Sequence, residues 1–105
     1  MSQLTVYENL NPASRAAYPY FVDVQDTLLE SLATRVVVPL ARADSLGQHP
    51  ISRLCPEASI RGEPHVLLTH QMTAVPVAAL KAPVGSLQEL RTEIVAAIDF
   101  LVTGI

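Results

Sequence analysis

The chain holds few reactive side chains, and their spacing limits what they can do. The histidines are His49, His65 and His70, and the one cysteine is Cys55. Metal pairs on one strand face favour i,i+2 spacing, and on a helix i,i+3 or i,i+4, and no two histidines stand that way. Each reads as an exposed or hydrogen-bonded side chain, so no metal or other cofactor is expected. Cys55 precedes Pro56 in neither a Cys-x-x-Cys nor a papain-like setting, which suits a core thiol better than a nucleophile. Four glycines and no Gly-Lys-Ser/Thr leave no phosphate-cradling loop. Asp23 and Asp26 could form a carboxylate pair, but Asp26 fits better as the cap of a turn entering Thr27-Leu28. RNA cleavage would need a base, an acid and cations around one phosphate. His65 or His70 with Arg53 or Arg61 are isolated candidates, not an organised set. The residues predict no enzyme.

Binding is what remains. Half of the 105 residues are apolar and only 16% are charged. That is too hydrophobic for disorder and slightly rich for a soluble monomer, so a buried subunit interface should take the surplus. The length suits one domain, residues 1–105. Net charge is −3, and the basic residues Arg15, Arg35, Arg42, Arg53, Arg61, Lys81 and Arg91 are spread singly, which disfavours direct binding of nucleic acid. The lone cysteine fits a reducing compartment, and Met1 to Thr5 show no secretory pattern. No stretch approaches the roughly 20 apolar residues of a membrane span. A cytoplasmic protein with no membrane contact is expected.

The first half of the chain reads as strands, and the middle, from Gly47 to Pro56, as loop followed by short strands. Leu4 to Tyr7 alternates at period two, Tyr20 to Gln25 is β-branched and aromatic, and Arg35 to Leu40 is a nearly continuous apolar run. Pro39 should end that central strand or bulge it. Leu28 to Leu32 reads as a connection carrying exposed leucines. Short strands at Ala58-Ser59-Ile60 and His65 to Leu68 flank the turn Arg61 to Pro64, and another runs from Ala74 to Leu80 with Pro76 at an edge or bulge.

The end changes character. Ser86-Leu87-Gln88-Glu89 has the form of a capping box, and Leu87, Leu90, Ile94, Ile98 and Leu101 recur at helical spacing. Gly104 supplies a C-cap, so a helix is predicted over Leu87 to Val102. From Ile94 to Val102 only Asp99 is polar. A helical segment apolar all round must be covered on more than one side, by a second subunit or a partner protein. Strands followed by one terminal helix make a β-rich α+β fold.

Several blocks, in order, give the chain a resemblance to the CcdB family, the toxin half of toxin–antitoxin pairs. They are Val6-Tyr7, Tyr20-Phe21-Val22-Asp23-Val24-Gln25, Arg35-Val36-Val37-Val38-Pro39-Leu40, Met72-Thr73-Ala74-Val75-Pro76-Val77, and Ala97-Ile98-Asp99-Phe100-Leu101 followed by Gly104-Ile105. The resemblance implies a homodimer with an SH3-like antiparallel barrel-like sheet of the type shared with MazF, and a C-terminal helix. It implies a protein that binds the A subunit of DNA gyrase and traps the enzyme on cleaved DNA. A cognate CcdA-like antitoxin would neutralise it through a disordered segment.

Carried onto this sequence, the gyrase-facing positions implied are Thr103, Gly104 and Ile105, with Asp99 one turn earlier. Leu28 and Leu29 match supporting positions, as do Gln3, Leu4, Tyr7 and Asp26. Contacts to the antitoxin are expected on the apolar strand His65, Val66, Leu67 and Leu68 and on the loop Ala43 to His49, with Leu46. Well-known members of the family end Trp-Gly-Ile, where this chain has Thr103. A threonine offers far less contact than the roughly 150–250 Å² an aromatic ring buries. The resemblance then implies weaker gyrase binding, compensating contacts or a shifted target. The rival reading on the same fold is a MazF/Kid-like endoribonuclease toxin, and a third is an inactive structural dimer.

Overall fold

The computed structural model describes residues 3–48 and 50–104, so His49 and Ile105, both singled out above, lie outside the described residues. Chain order gives strands β1 (Thr5–Glu8), β2 (Tyr20–Asp23) and β3 (Thr34–Arg42), then β4 (Glu57–Ile60), β5 (Glu63–Leu67), β6 (Thr73–Pro76) and β7 (Pro83–Ser86). A single α-helix, α1 (Arg91–Thr103), follows a 3-10 turn over Gln88–Leu90. All seven strands belong to one antiparallel sheet that curls into an open half-barrel, in the order β4-β5-β3-β2-β1-β7 with β6 also on β3. This is the β-rich α+β architecture the sequence predicts.

β3 organises the sheet. One of its edges pairs with β2 from Val37 to Leu40. The other edge is shared: β6 takes Thr34 to Val37 and β5 takes Leu40 to Arg42. Pro39 therefore neither ends nor bulges the strand, contrary to expectation. Its carbonyl accepts from the Leu68 amide at 2.9 Å, on the edge where β6 has stopped and β5 has not begun. A missing N–H costs no ladder bond in that gap.

Both sheet faces are covered, which explains the unbroken apolar run in β3. On one face Val6, Val22, Val38, Leu40, Ile60 and Leu67 meet Leu87 and Ile94, so the helix lies over this core. Opposite lie two smaller clusters, Tyr7, Val37 and Leu80, and Ala41, Cys55, Val66 and Leu68. Cys55 is a buried free thiol, as expected, and burial pushes its pKa up. The β4–β5 hairpin turns on Arg61 (φ 53°) and Gly62 (φ 80°), a pair of left-handed residues that matches the twist of the strands.

The segment after β6 departs from expectation. Residues Ala74 to Leu80 do not form one strand: β6 ends at Pro76, a 3-10 turn takes Val77–Ala79, and β7 follows. β7 pairs with β1 across a bulge between Val6 and Tyr7. The helix also starts later than predicted. Ser86 Oγ accepts from the Gln88 amide at 3.2 Å, but the N-cap of the 3-10 turn is Leu87, with no side-chain bond, and regular α-helix begins at Arg91.

Candidate partner-binding surface

The helix presents two faces. Ile94 and Ala97 are buried and Ile98 is half-buried against the sheet. Out of phase with them, Thr92, Val95, Ala96 and Asp99 are exposed and, with Arg91, line a shallow groove of about 400 Å³. Val102 continues that face and is 76% exposed. Leu101, which the spacing placed in the core stripe, is 40% exposed because the helix end runs past its supporting core. An exposed apolar helix face beside one carboxylate is suited to a protein partner.

The tail is held by the helix end. Gly104 is left-handed at φ 74°, and its amide donates to the Phe100 carbonyl at 2.9 Å, the C-cap predicted from sequence. Thr103 Oγ1 donates to the Asp99 carbonyl at 2.7 Å. Its hydroxyl is thus turned back on the helix. Phe100, half-buried, is covered by the Arg53 guanidinium 4.5 Å from the ring centroid, a cation–π contact that holds the 51–54 segment to the helix.

The leucine connection is exposed as predicted. A 3-10 turn spans Thr27–Leu29, and Asp26 Oδ1 accepts from the Leu28 amide at 2.8 Å, so Asp26 caps the turn. Leu28 is 89% exposed, with Leu29 and Leu32 about half so. Behind this loop lies a buried polar set. Arg35 Nη2 meets Asp23 Oδ2 at 2.7 Å, with both side chains almost wholly excluded from water. Asp23 Oδ1 accepts from the Gln25 amide at 3.0 Å. The Phe21-Val22-Asp23-Val24-Gln25 block is therefore a structural anchor, a role its residue types did not announce.

Gln3 links the two regions. Its Nε2 donates to the Val24 carbonyl at 3.1 Å, its carbonyl accepts from Gln88 Nε2 at 2.7 Å, and its Oε1 accepts from Arg91. The half-buried Gln3 thus joins the strand leading into the leucine loop to the start of the helix. Leu4 and Tyr7, by contrast, are 1% and 3% exposed and packed in the two cores, so they back this surface from inside. Burial, and next the charge of Asp23, push the Tyr7 phenol above its ordinary value of 10.0.

The positions proposed for an antitoxin are also mostly interior. His65, Val66 and Leu67 are buried because β5 is covered on both faces, and Leu68, just after the strand, is buried too. His65 Nδ1 lies 2.9 Å from the Glu63 carbonyl and its ring meets Tyr20 edge to face. Leu67 belongs to the core under the helix. Val66 and Leu68 point the other way, and half-buried Leu46 joins them at two neighbouring grooves. The larger, about 380 Å³, is also lined by Tyr18, Pro50 and His70. What reaches the surface here is the groove, not the strand.

The candidate RNA-cleaving groups are engaged with different neighbours. Arg61 pairs with Glu8 at 3.0 Å, Arg53 covers Phe100, and exposed His70 lies 3.6 Å from Cys55 Sγ. Among the described residues no group of three or more His, Cys, Asp or Glu side chains could hold a metal ion, and no helix is long and apolar enough to cross a membrane. Sequence reasoning missed Arg91, Val95 and Val102 as parts of the exposed face. The signal was present: Val95, Asp99 and Val102 recur at i, i+4 and i+7, a second helical stripe beside the core one.

A family model described as CcdB protein matches residues 3–104. The match spans both the leucine loop and the helix, and it takes in the curled sheet and terminal helix described above. By that match the chain belongs to the CcdB family, the toxins of toxin–antitoxin pairs.

Proposed function

We propose that this toxin, a single domain over residues 1–105 acting as a homodimer, binds the A subunit of DNA gyrase and traps the enzyme on cleaved DNA. The observation that carries the reading is the uncovered face of α1, where Val95 and Val102 stand exposed around Asp99. Gln3 extends this face towards the loop that presents Leu28. Two copies related by a two-fold axis would offer two such surfaces to a two-fold symmetric target.

The toxin needs no bond chemistry for this. A ligand that binds the opened, cleaved form of gyrase more tightly than the closed form shifts the population towards cleavage. An aliphatic tail serves in place of an aromatic one: the Thr103 methyl and exposed Val102 supply apolar contact, while Asp99 supplies a charge. A CcdA-like antitoxin then neutralises the toxin through a segment that orders on it. The groove beside Leu46, Val66 and Leu68 is an apolar seat for such a segment.

Expression in a gyrase-sensitive bacterial host tests the reading. Growth arrest with DNA breaks, relieved by a resistance mutation in the gyrase A subunit, is the expected result. Arrest that persists in the resistant host, together with cleavage of RNA by the purified protein, would establish the endoribonuclease instead.

A further inference from the structure

Leu28 is the most exposed large apolar side chain among the described residues, yet its loop is tied to the most buried polar groups of the chain. Gln25 makes the tie. Its Oε1 accepts from the Val36 amide at 3.0 Å, and its Nε2 donates to the Thr34 carbonyl at 3.3 Å and the Leu29 carbonyl at 3.0 Å. Two of these bonds fall on β3 backbone groups beyond the Asp23–Val37 end of the β2 ladder, so the side-chain amide stands in for a strand peptide. The third reaches across and fixes the loop.

Gln25 is itself held at both backbone groups by the ion pair. Its amide donates to Asp23 Oδ1 at 3.0 Å, and its carbonyl accepts from Arg35 Nη2 at 3.4 Å. Arg35 Nε adds a bond to Asp23 Oδ2 at 3.0 Å. No described buried side-chain nitrogen or oxygen lacks a hydrogen bond. Stability alone is a poor reason for such a set, because well-packed apolar residues of similar volume usually do as well as a buried ion pair. What apolar residues lack is direction: they cannot hold one loop carbonyl at one angle.

We infer that Gln25 is a positioning residue for protein recognition, clamped by Asp23 and Arg35 so that the 26–32 loop presents Leu28 to its partner already ordered. A loop ordered in advance loses less conformational freedom on binding, and the saving appears as affinity. The inference rests on the reading that Leu28 faces gyrase, and it adds the residue that sets the geometry of that contact.

A double-mutant cycle tests it. Gln25→Glu keeps an acceptor for the Val36 amide but sets a carboxylate against the Leu29 and Thr34 carbonyls. Gln25→Met, similar in size and without either group, serves if the first variant fails to fold. Each is combined with Leu28→Ala, and affinity for the gyrase A dimerisation region is measured beside amide exchange over residues 28–32. The expected result is a loss of about tenfold from the Gln25 change alone, almost none on the Leu28→Ala background, and faster exchange in the loop. Equal losses on both backgrounds, no loss at all, or unchanged exchange overturn it. If the parent protein does not bind gyrase, the gyrase reading fails and exchange alone decides the clamp: faster exchange upholds it, unchanged exchange overturns it.

Discussion

At the scale of single residues, the buried polar groups carry the sharpest consequences. Asp23 is wholly buried and is the carboxylate partner of Arg35, so Asp23→Ala leaves an uncompensated guanidinium in the interior. A loss of about 3–5 kcal/mol is expected, read by denaturant unfolding. Tyr7 acts at high pH. Its folded pKa is raised, so the folded state binds its proton more tightly than the unfolded chain does. That contribution is full below pH 10.0 and is lost as pH rises through the folded value. Tyr7→Phe removes the titration, so the variant should lose less stability above pH 10.0 than the parent, as urea midpoints at a series of alkaline pH values will show. The sequence named Asp23, Tyr7 and Leu4 but not their surroundings. A carboxylate that caps a turn, one that grips an arginine and one that faces a partner share a single residue type. Only the fold separates exposed Asp26 from buried Asp23.

At the scale of elements, the helix and its cap were legible because local chemistry decides them. Gly104 adopts the left-handed conformation that ends a helix, and an added Cβ would meet nothing within 4 Å, so Gly104→Ala pays for backbone conformation alone. The expected cost is about 1 kcal/mol, a fall of about 5 °C in the thermal midpoint, measured by circular dichroism. Strands β1, β2, β3, β4 and β5 were legible from alternation and β-branching. β7 was not, because Pro83-Val84-Gly85-Ser86 has neither signal and owes its strand form to pairing with β1. Pro39 was misread for a related reason. Its tolerance depends on two other strands leaving a gap at its edge, which no local pattern encodes. The burial of His65, Val66, Leu67 and Leu68 was not legible, because a short apolar run does not say whether one face of its strand is covered or both.

At the scale of the whole molecule, the surplus of apolar residues seen in the composition is accounted for in part by the two-faced core. The remainder is on the surface. Val95, Leu101 and Val102 on the helix and Leu28, Leu29 and Leu32 on the loop stay exposed in the single chain. A homodimer should therefore scatter light as twice the 11.3 kDa chain, and a mass of one chain at working concentration would remove the paired surface. The element pattern predicted that the helix needs cover, and the structure shows which side lacks it. By the proposed function, this surface and its tail hold gyrase in its cleaved state. The most direct measurement incubates purified gyrase and supercoiled plasmid with the full chain, and separately with a variant lacking Thr103, Gly104 and Ile105, before trapping and counting linear DNA. Linear DNA is expected with the full chain and background levels with the truncated one. Equal linear DNA from both, or none from a folded full chain, would contradict the proposed function.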